Sequence, residues 1–117
     1  MKLTNKITFI VILAFSQASY AYDMKNIVAY PVPFNPLNKI LTIGTPGVSE
    51  PHIVKIEIYD VNGDTVIQKS GSGIPFLWNG RNSSGRFVKP GFYMIKIEFD
   101  DETGDYGKKM IRILVDY

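Results

Sequence analysis

Three stretches of this chain alternate apolar and polar residues with a period of two, and that pattern constrains the fold more than any other feature. In HIVKIEIYD (52–60), Val54, Ile56 and Ile58 share one face and Lys55, Glu57 and Tyr59 the other. In FYMIKIEF (92–99), Tyr93, Ile95, Ile97 and Phe99 oppose Phe92, Met94, Lys96 and Glu98. In KMIRILV (109–115), Ile111, Ile113 and Val115 oppose Met110, Arg112 and Leu114. Successive side chains of a strand point to opposite faces, so this alternation predicts strands with one face buried. No segment after residue 21 shows the three-to-four-residue apolar spacing of a helix.

The turns between these runs set the topology. Asn62-Gly63, within DVNGDT (60–65), predicts a type I′ turn joining a strand 52–59 to a strand 65–69. DDETGDYG (100–107) reads as the polar loop of a second hairpin, between the last two long strands. With 27–30, 40–45 and a short 75–78, about seven strands fit into under a hundred residues. The expected fold class is all-β: an antiparallel immunoglobulin-like, fibronectin III-like β-sandwich.

Residues 1–21 stand apart. Lys2 and Lys6 precede or flank an apolar run over 7–15, and SQASYA ends on small Ser19 and Ala21. This is the layout of a secretory signal peptide. The run is shorter than the ~20 apolar residues a membrane span requires. The expectation is cleavage near Ala21, leaving 22–117 as one domain with no membrane anchor. Lys2 and Lys6 are two of the 13 Lys+Arg, so 11 cations remain against 11 Asp+Glu. A neutral mature chain argues against capture of nucleic acid by charge. Without cysteine the domain has no disulfide, so packing and hairpins must hold it.

The most patterned segment is FLWNGRNSSGRFVKPGFYMIKI (76–97). Trp78 ends a strand as a large core residue, while Asn79-Gly80 and Ser84-Gly85 each suit a turn with positive φ. Pro90-Gly91 suits the centre of a type II turn, and Tyr93 opens a strand facing inward, its hydroxyl in need of a partner. Taken in order, YPVPFNP (30–36), IEIYDVNGDTV (56–66), WNGRNSSGRFVKPGFYMIKI (78–97) and KKMIRILV (108–115) resemble the FlgD-type immunoglobulin-like domain. That domain occurs in the flagellar hook-capping protein and, in a similar form, as type IX secretion sorting domains at the C-termini of secreted bacterial proteins. The resemblance implies structural roles for Tyr30, Pro31, Pro33, Phe34, Asn35, Pro36, Tyr59, Asp60, Gly63, Trp78, Gly80, Asn82, Gly85, Gly91 and Tyr93. Val32 departs from it, standing where the family usually has Asn. The family module normally trails a larger protein, whereas here it is expected to form the whole mature chain.

No catalytic set assembles from these residues. His52 is the single histidine, and Ser72, Ser83 and Ser84 lie in Gly-rich segments with no recognisable base. Asp60, Asn62 and Asp64 have the spacing of the first calcium ligands of an EF-hand, but Thr65 and Gly71 stand where that loop needs Gly and Glu. Asp100, Asp101, Glu102 and Asp105 form a second acidic cluster, read as a solvated loop tip. Trp78, Phe76, Phe87 and Tyr106 are the aromatics available for sugar stacking, and Asn82 sits in an NSS sequon read as turn chemistry. The expectation is a non-enzymatic module of the bacterial envelope or exterior, secreted or periplasmic, without cofactor. It would act through a protein partner or self-association, as an adaptor. A sorting-type domain is the alternative, and a sugar- or calcium-binding module a third. YPVPFNP reads as the lead-in to the sandwich, with Phe34 as the anchor that docks it.

Overall fold

A computed structural model describes residues 26–46, 50–100 and 106–117. The expected signal peptide and the loop tip holding Asp101, Glu102 and Asp105 lie outside them. Among the described residues seven strands follow one another: β1 (Val28–Tyr30), β2 (Leu41–Gly44), β3 (Glu50–Asp60), β4 (Thr65–Ile74), β5 (Phe76–Trp78), β6 (Gly91–Asp100) and β7 (Tyr106–Val115). They form two antiparallel sheets, ordered β1-β2-β5 and β4-β3-β6-β7. The fourth strand therefore joins the sheet of the third, unlike the constant-type immunoglobulin division, which places it with the first two.

The alternation in sequence becomes the division between core and surface. Val54, Ile56 and Ile58 of β3, Tyr93, Ile95, Ile97 and Phe99 of β6, and Ile113 and Val115 of β7 all lie in the core. They meet Leu41 and Ile43 of β2, Trp78 of β5, and Ile27 and Phe34 from the N-terminal side. Burying each of these large side chains contributes about 1.5–3 kcal/mol, so a core of this kind replaces the missing disulfide.

The hairpin β3–β4 forms where expected, through a different turn. Gly63 has φ 84°, but among the described residues no non-glycine, Asn62 included, has positive φ. A type I′ turn needs it at both central residues. Instead the Gly63 N–H donates to the Asp60 carbonyl (3.0 Å) and the Asp60 N–H to the Asp64 carbonyl (3.0 Å). This is a three-residue loop closed by a left-handed glycine. The Asp60 side chain decides between the two, because its Oδ1 accepts the N–H groups of Asn62 (2.9 Å) and Asp64 (3.0 Å). Strand β4 also runs to Ile74, past the expected end at 69, with register shifts against β3 and a left-handed Gly71. Gly91 corrects a second expectation: its φ of 148° is far from the ~80° of a type II turn, and it already begins β6.

Candidate functional site

The motif residues converge on one seam between the two sheets. Tyr30 is the last residue of β1, paired with Thr42, and is 38% exposed. Pro31 and Pro33 follow in cis peptide bonds and face solvent with Val32. Phe34 then turns inward and is wholly buried. Its N–H donates to the Leu114 carbonyl (2.8 Å) and its carbonyl accepts from the Asp116 N–H (3.0 Å), a parallel bridge to Val115. The ring of Phe34 lies 5.8 Å from that of Trp78, which meets Tyr93 edge-on at 6.3 Å. Such tilted pairs add about 0.5–1.5 kcal/mol beyond their buried area.

Each polar handle in this aromatic row is held by the backbone. The Trp78 Nε1–H donates to the Arg81 carbonyl (2.9 Å), and the Tyr93 hydroxyl donates to the Lys89 carbonyl (2.7 Å). Burial, with Asp60 nearby, pushes the Tyr93 hydroxyl pKa up. Asn35 accepts the Leu37 N–H on its side chain, turning the chain after Phe34. Pro36 is buried against Gly80, and Asn82 Oδ1 accepts the N–H groups of Ser84 and Arg86. The left-handed Gly85 completes that loop. Asn79 and Arg81 extend it, and the Arg81 guanidinium lies 4.0 Å over Phe87 while donating to the Gly85 carbonyl. These residues build and brace the sandwich.

The outer face of the four-stranded sheet carries chemistry that the sequence reading missed. Glu57, expected to face solvent, is only 8% exposed. Tyr59 donates its hydroxyl to Glu57, while Lys55 (3.3 Å) and Lys96 (3.4 Å) flank its other oxygen and Lys96 also reaches Glu98 (2.9 Å). The Tyr59 hydrogen bond, helped by the two lysines, holds the Glu57 carboxyl below the usual range against the cost of burial. The same bond and burial push Tyr59 up. Lys96 is held protonated by Glu98, whose own carboxyl it lowers. The charge alternation Lys55-Glu57 and Lys96-Glu98 was visible in the sequence, but only the register Glu57↔Lys96 makes it one cluster.

Of the other candidates, Phe76 and Trp78 line one groove, and Phe87 and Asp60 do not. Trp78 is 2% exposed, packed between Phe34 and Tyr93, and Phe87, 36% exposed, has one face covered by Arg81. Asp60, first of the calcium-spaced residues, already spends one oxygen on two backbone amides. Among the described residues no group of three His, Cys, Asp or Glu side chains is placed to hold a metal. His52 lies in β3, its side chain outside the described residues, as are those of Asp100 and Tyr106.

Two grooves open where the sheets' edges part. One, of about 590 Å³, lies between β4 and β5 and is lined by Ile67, Phe76, Leu77, Arg81 and Ser83 among others. The other, of about 440 Å³, lies between β1 and β7, with Ile27, Val28 and Ala29 facing Met110, Ile111 and Arg112.

Comparison with known proteins places this arrangement. The family described as "Secretion system C-terminal sorting domain" matches residues 28–113. A solved structure of PorZ, described as an essential bacterial surface component of the type-IX secretion system of Porphyromonas gingivalis, has a TM-score of 0.62 and 24% identity. That match covers 83% of this chain and 12% of PorZ, so the chain spans about an eighth of that protein's length. At such identity the likeness shows the fold alone. No curated protein matches the chain.

Proposed function

The chain belongs to the family of secretion system C-terminal sorting domains, and from that premise we propose that it is a type IX sorting-type module, a folded β-sandwich recognised by an export machinery. Membership implies a secreted or cell-surface protein. The observation that carries the reading is the extent of the family match, from β1 to near the end of β7. The geometry supports a recognised surface: the motif residues are consumed by internal bracing, leaving the sheet's outer face and the open edges for contact. On this reading the domain is non-enzymatic. We infer kinship with FlgD-type domains from the shared order of motifs, as a common folding pattern with no hook-capping role.

The test is a reporter enzyme carrying a signal peptide and fused ahead of residues 22–117, expressed in a type IX-competent bacterium and in a strain lacking that system. The reporter should reach the surface or medium only in the competent strain. The same distribution in both strains would sink the sorting reading. It would favour the second one, an envelope adaptor, supported by the open edge of β7, which crosslinking in the native envelope would then identify through its partner.

A further inference from the structure

The four sheet edges differ in what they offer a neighbouring strand. β1 and β5 are three residues long, and β1 ends at Pro31 and Pro33. β4 is bulged by its register shifts, and the Ser83 N–H already occupies its Val66 carbonyl. Short strands, prolines and bulges are the usual means of blunting an edge. β7 has none of these three and is guarded by charge instead, from Lys108 and Arg112: its ten residues pair with β6 in unbroken register from Gly91↔Val115 to Asp100↔Tyr106.

The outward backbone groups of β7 can be assigned from one contact. Phe34 bonds to the Leu114 carbonyl and the Asp116 N–H, so these point away from β6. Orientation alternates along an unbroken antiparallel ladder, so the N–H and C=O groups of Lys108, Met110 and Arg112 point outward as well. Among the described residues, no strand pairs with them. Phe34 thus marks the end of a track on which a strand running parallel to β7 already makes one bridge.

The side chains along this track define the occupant. On the outer face Lys108 and Arg112 are both exposed, with Met110 between them. On the inner face the groove between β1 and β7 presents Val28, Ala29 and Ile111, with Ile27 sealed in the core beneath them. β7 contains no acidic residue. A second copy pairing through its own β7 would bring Lys108 and Arg112 against the same cations, which opposes self-association there. We infer that the β7 edge is a strand-addition site for an extended partner segment that alternates acidic and apolar residues and lies parallel to β7. Its acidic residues would meet Lys108 and Arg112, and its apolar ones would enter the groove. Main-chain bonds supply affinity in such docking, and the alternate side chains supply selection. The inference gives a partner chemistry to the recognition proposed above. It is tested in vitro without the export machinery, so either can fail alone.

The experiment titrates the purified, isotope-labelled protein with capped peptides of about eight residues, one alternating Glu and Val and one alternating Lys and Val. The Glu–Val peptide should protect the amides of Lys108, Met110 and Arg112 from hydrogen exchange, leave β4 unchanged, and bind more weakly as salt rises. Met110→Pro removes an outward N–H with no internal bond to lose and should abolish binding. The double variant Lys108→Glu/Arg112→Glu, which leaves the backbone intact, should weaken the Glu–Val peptide by about tenfold or more and favour the Lys–Val peptide. Equal binding of the two peptides, or protection on β4 and β5, would overturn the inference. So would a peptide-free dimer with β7 amides already protected, which would make a second copy the occupant.

Discussion

Gly80 lies directly beneath Pro36: a Cβ on Gly80 would fall 2.4 Å from the Cβ of Pro36 and 3.3 Å from the ring of Phe34. Its φ of 77° is also one that side-chain-bearing residues rarely adopt. Gly85 has nearly the same φ, 81°, but nothing lies within 4 Å of its Cβ position. Gly80→Ala should therefore cost about 2–4 kcal/mol, backbone strain and overpacking together. Gly85→Ala should cost only the strain, about 1–2 kcal/mol. Urea unfolding of the two variants side by side measures the difference, and equal losses would show that the Pro36 contact is relieved by movement.

Phe34 is a single residue of irregular chain that bridges to β7, and its side chain is fully buried against Trp78. Phe34→Ala should cost about 3–5 kcal/mol, the usual range for emptying a buried aromatic site. Trp78 is the only tryptophan, so its fluorescence reports both the unfolding transition and any repacking in the native baseline. A loss below about 1 kcal/mol would show that the lead-in does not depend on its anchor.

Tyr93→Phe removes the hydroxyl that donates to the Lys89 carbonyl and keeps the ring against Trp78. The expected loss is about 1–2 kcal/mol, a hydrogen bond from a largely buried group. Trp78 emission should stay native in the folded variant, since the packing is unchanged.

Glu57 and Glu98 both carry pH dependence on the outer face, each carboxyl being held low there. The folded pKa of Glu57 lies below the ordinary carboxyl value of 4.5, chiefly through the Tyr59 hydrogen bond. A depressed carboxylate stabilises the fold above its unfolded pKa, and that stability is lost as pH falls through the folded value. Stability should thus decline on acidification below about pH 4.5. Tyr59→Phe should raise the Glu57 pKa and flatten that decline, as a carbon-detected carboxyl titration would show. An unmoved Glu57 titration would mean the lysines alone set it.

Much of the fold was legible because strands report their faces locally. Val54, Ile56 and Ile58 went inward as the alternation required, and so did Tyr93, Ile95, Ile97 and Phe99. Glu57 obeyed the same rule for direction yet was buried, because lysines from two strands and Tyr59 close over it. The turn at Asn62-Gly63 was misread because dipeptide statistics omit the Asp60 carboxylate two residues earlier.

Local sequence pattern sets the number and inward faces of the strands and the left-handed Gly63, Gly80 and Gly85, and it marks Phe34, Trp78 and Tyr93 one by one as core aromatics. These depend on side-chain period and on φ preferences, which act over a few residues. Tertiary packing sets that β6 lies beside β3, that Phe34, Trp78 and Tyr93 form one row, that Gly80 is crowded and Gly85 is not, and that no described strand covers the β7 edge lined by Lys108 and Arg112. Each of those depends on which distant segments meet across the sheets, and no local pattern encodes that distance.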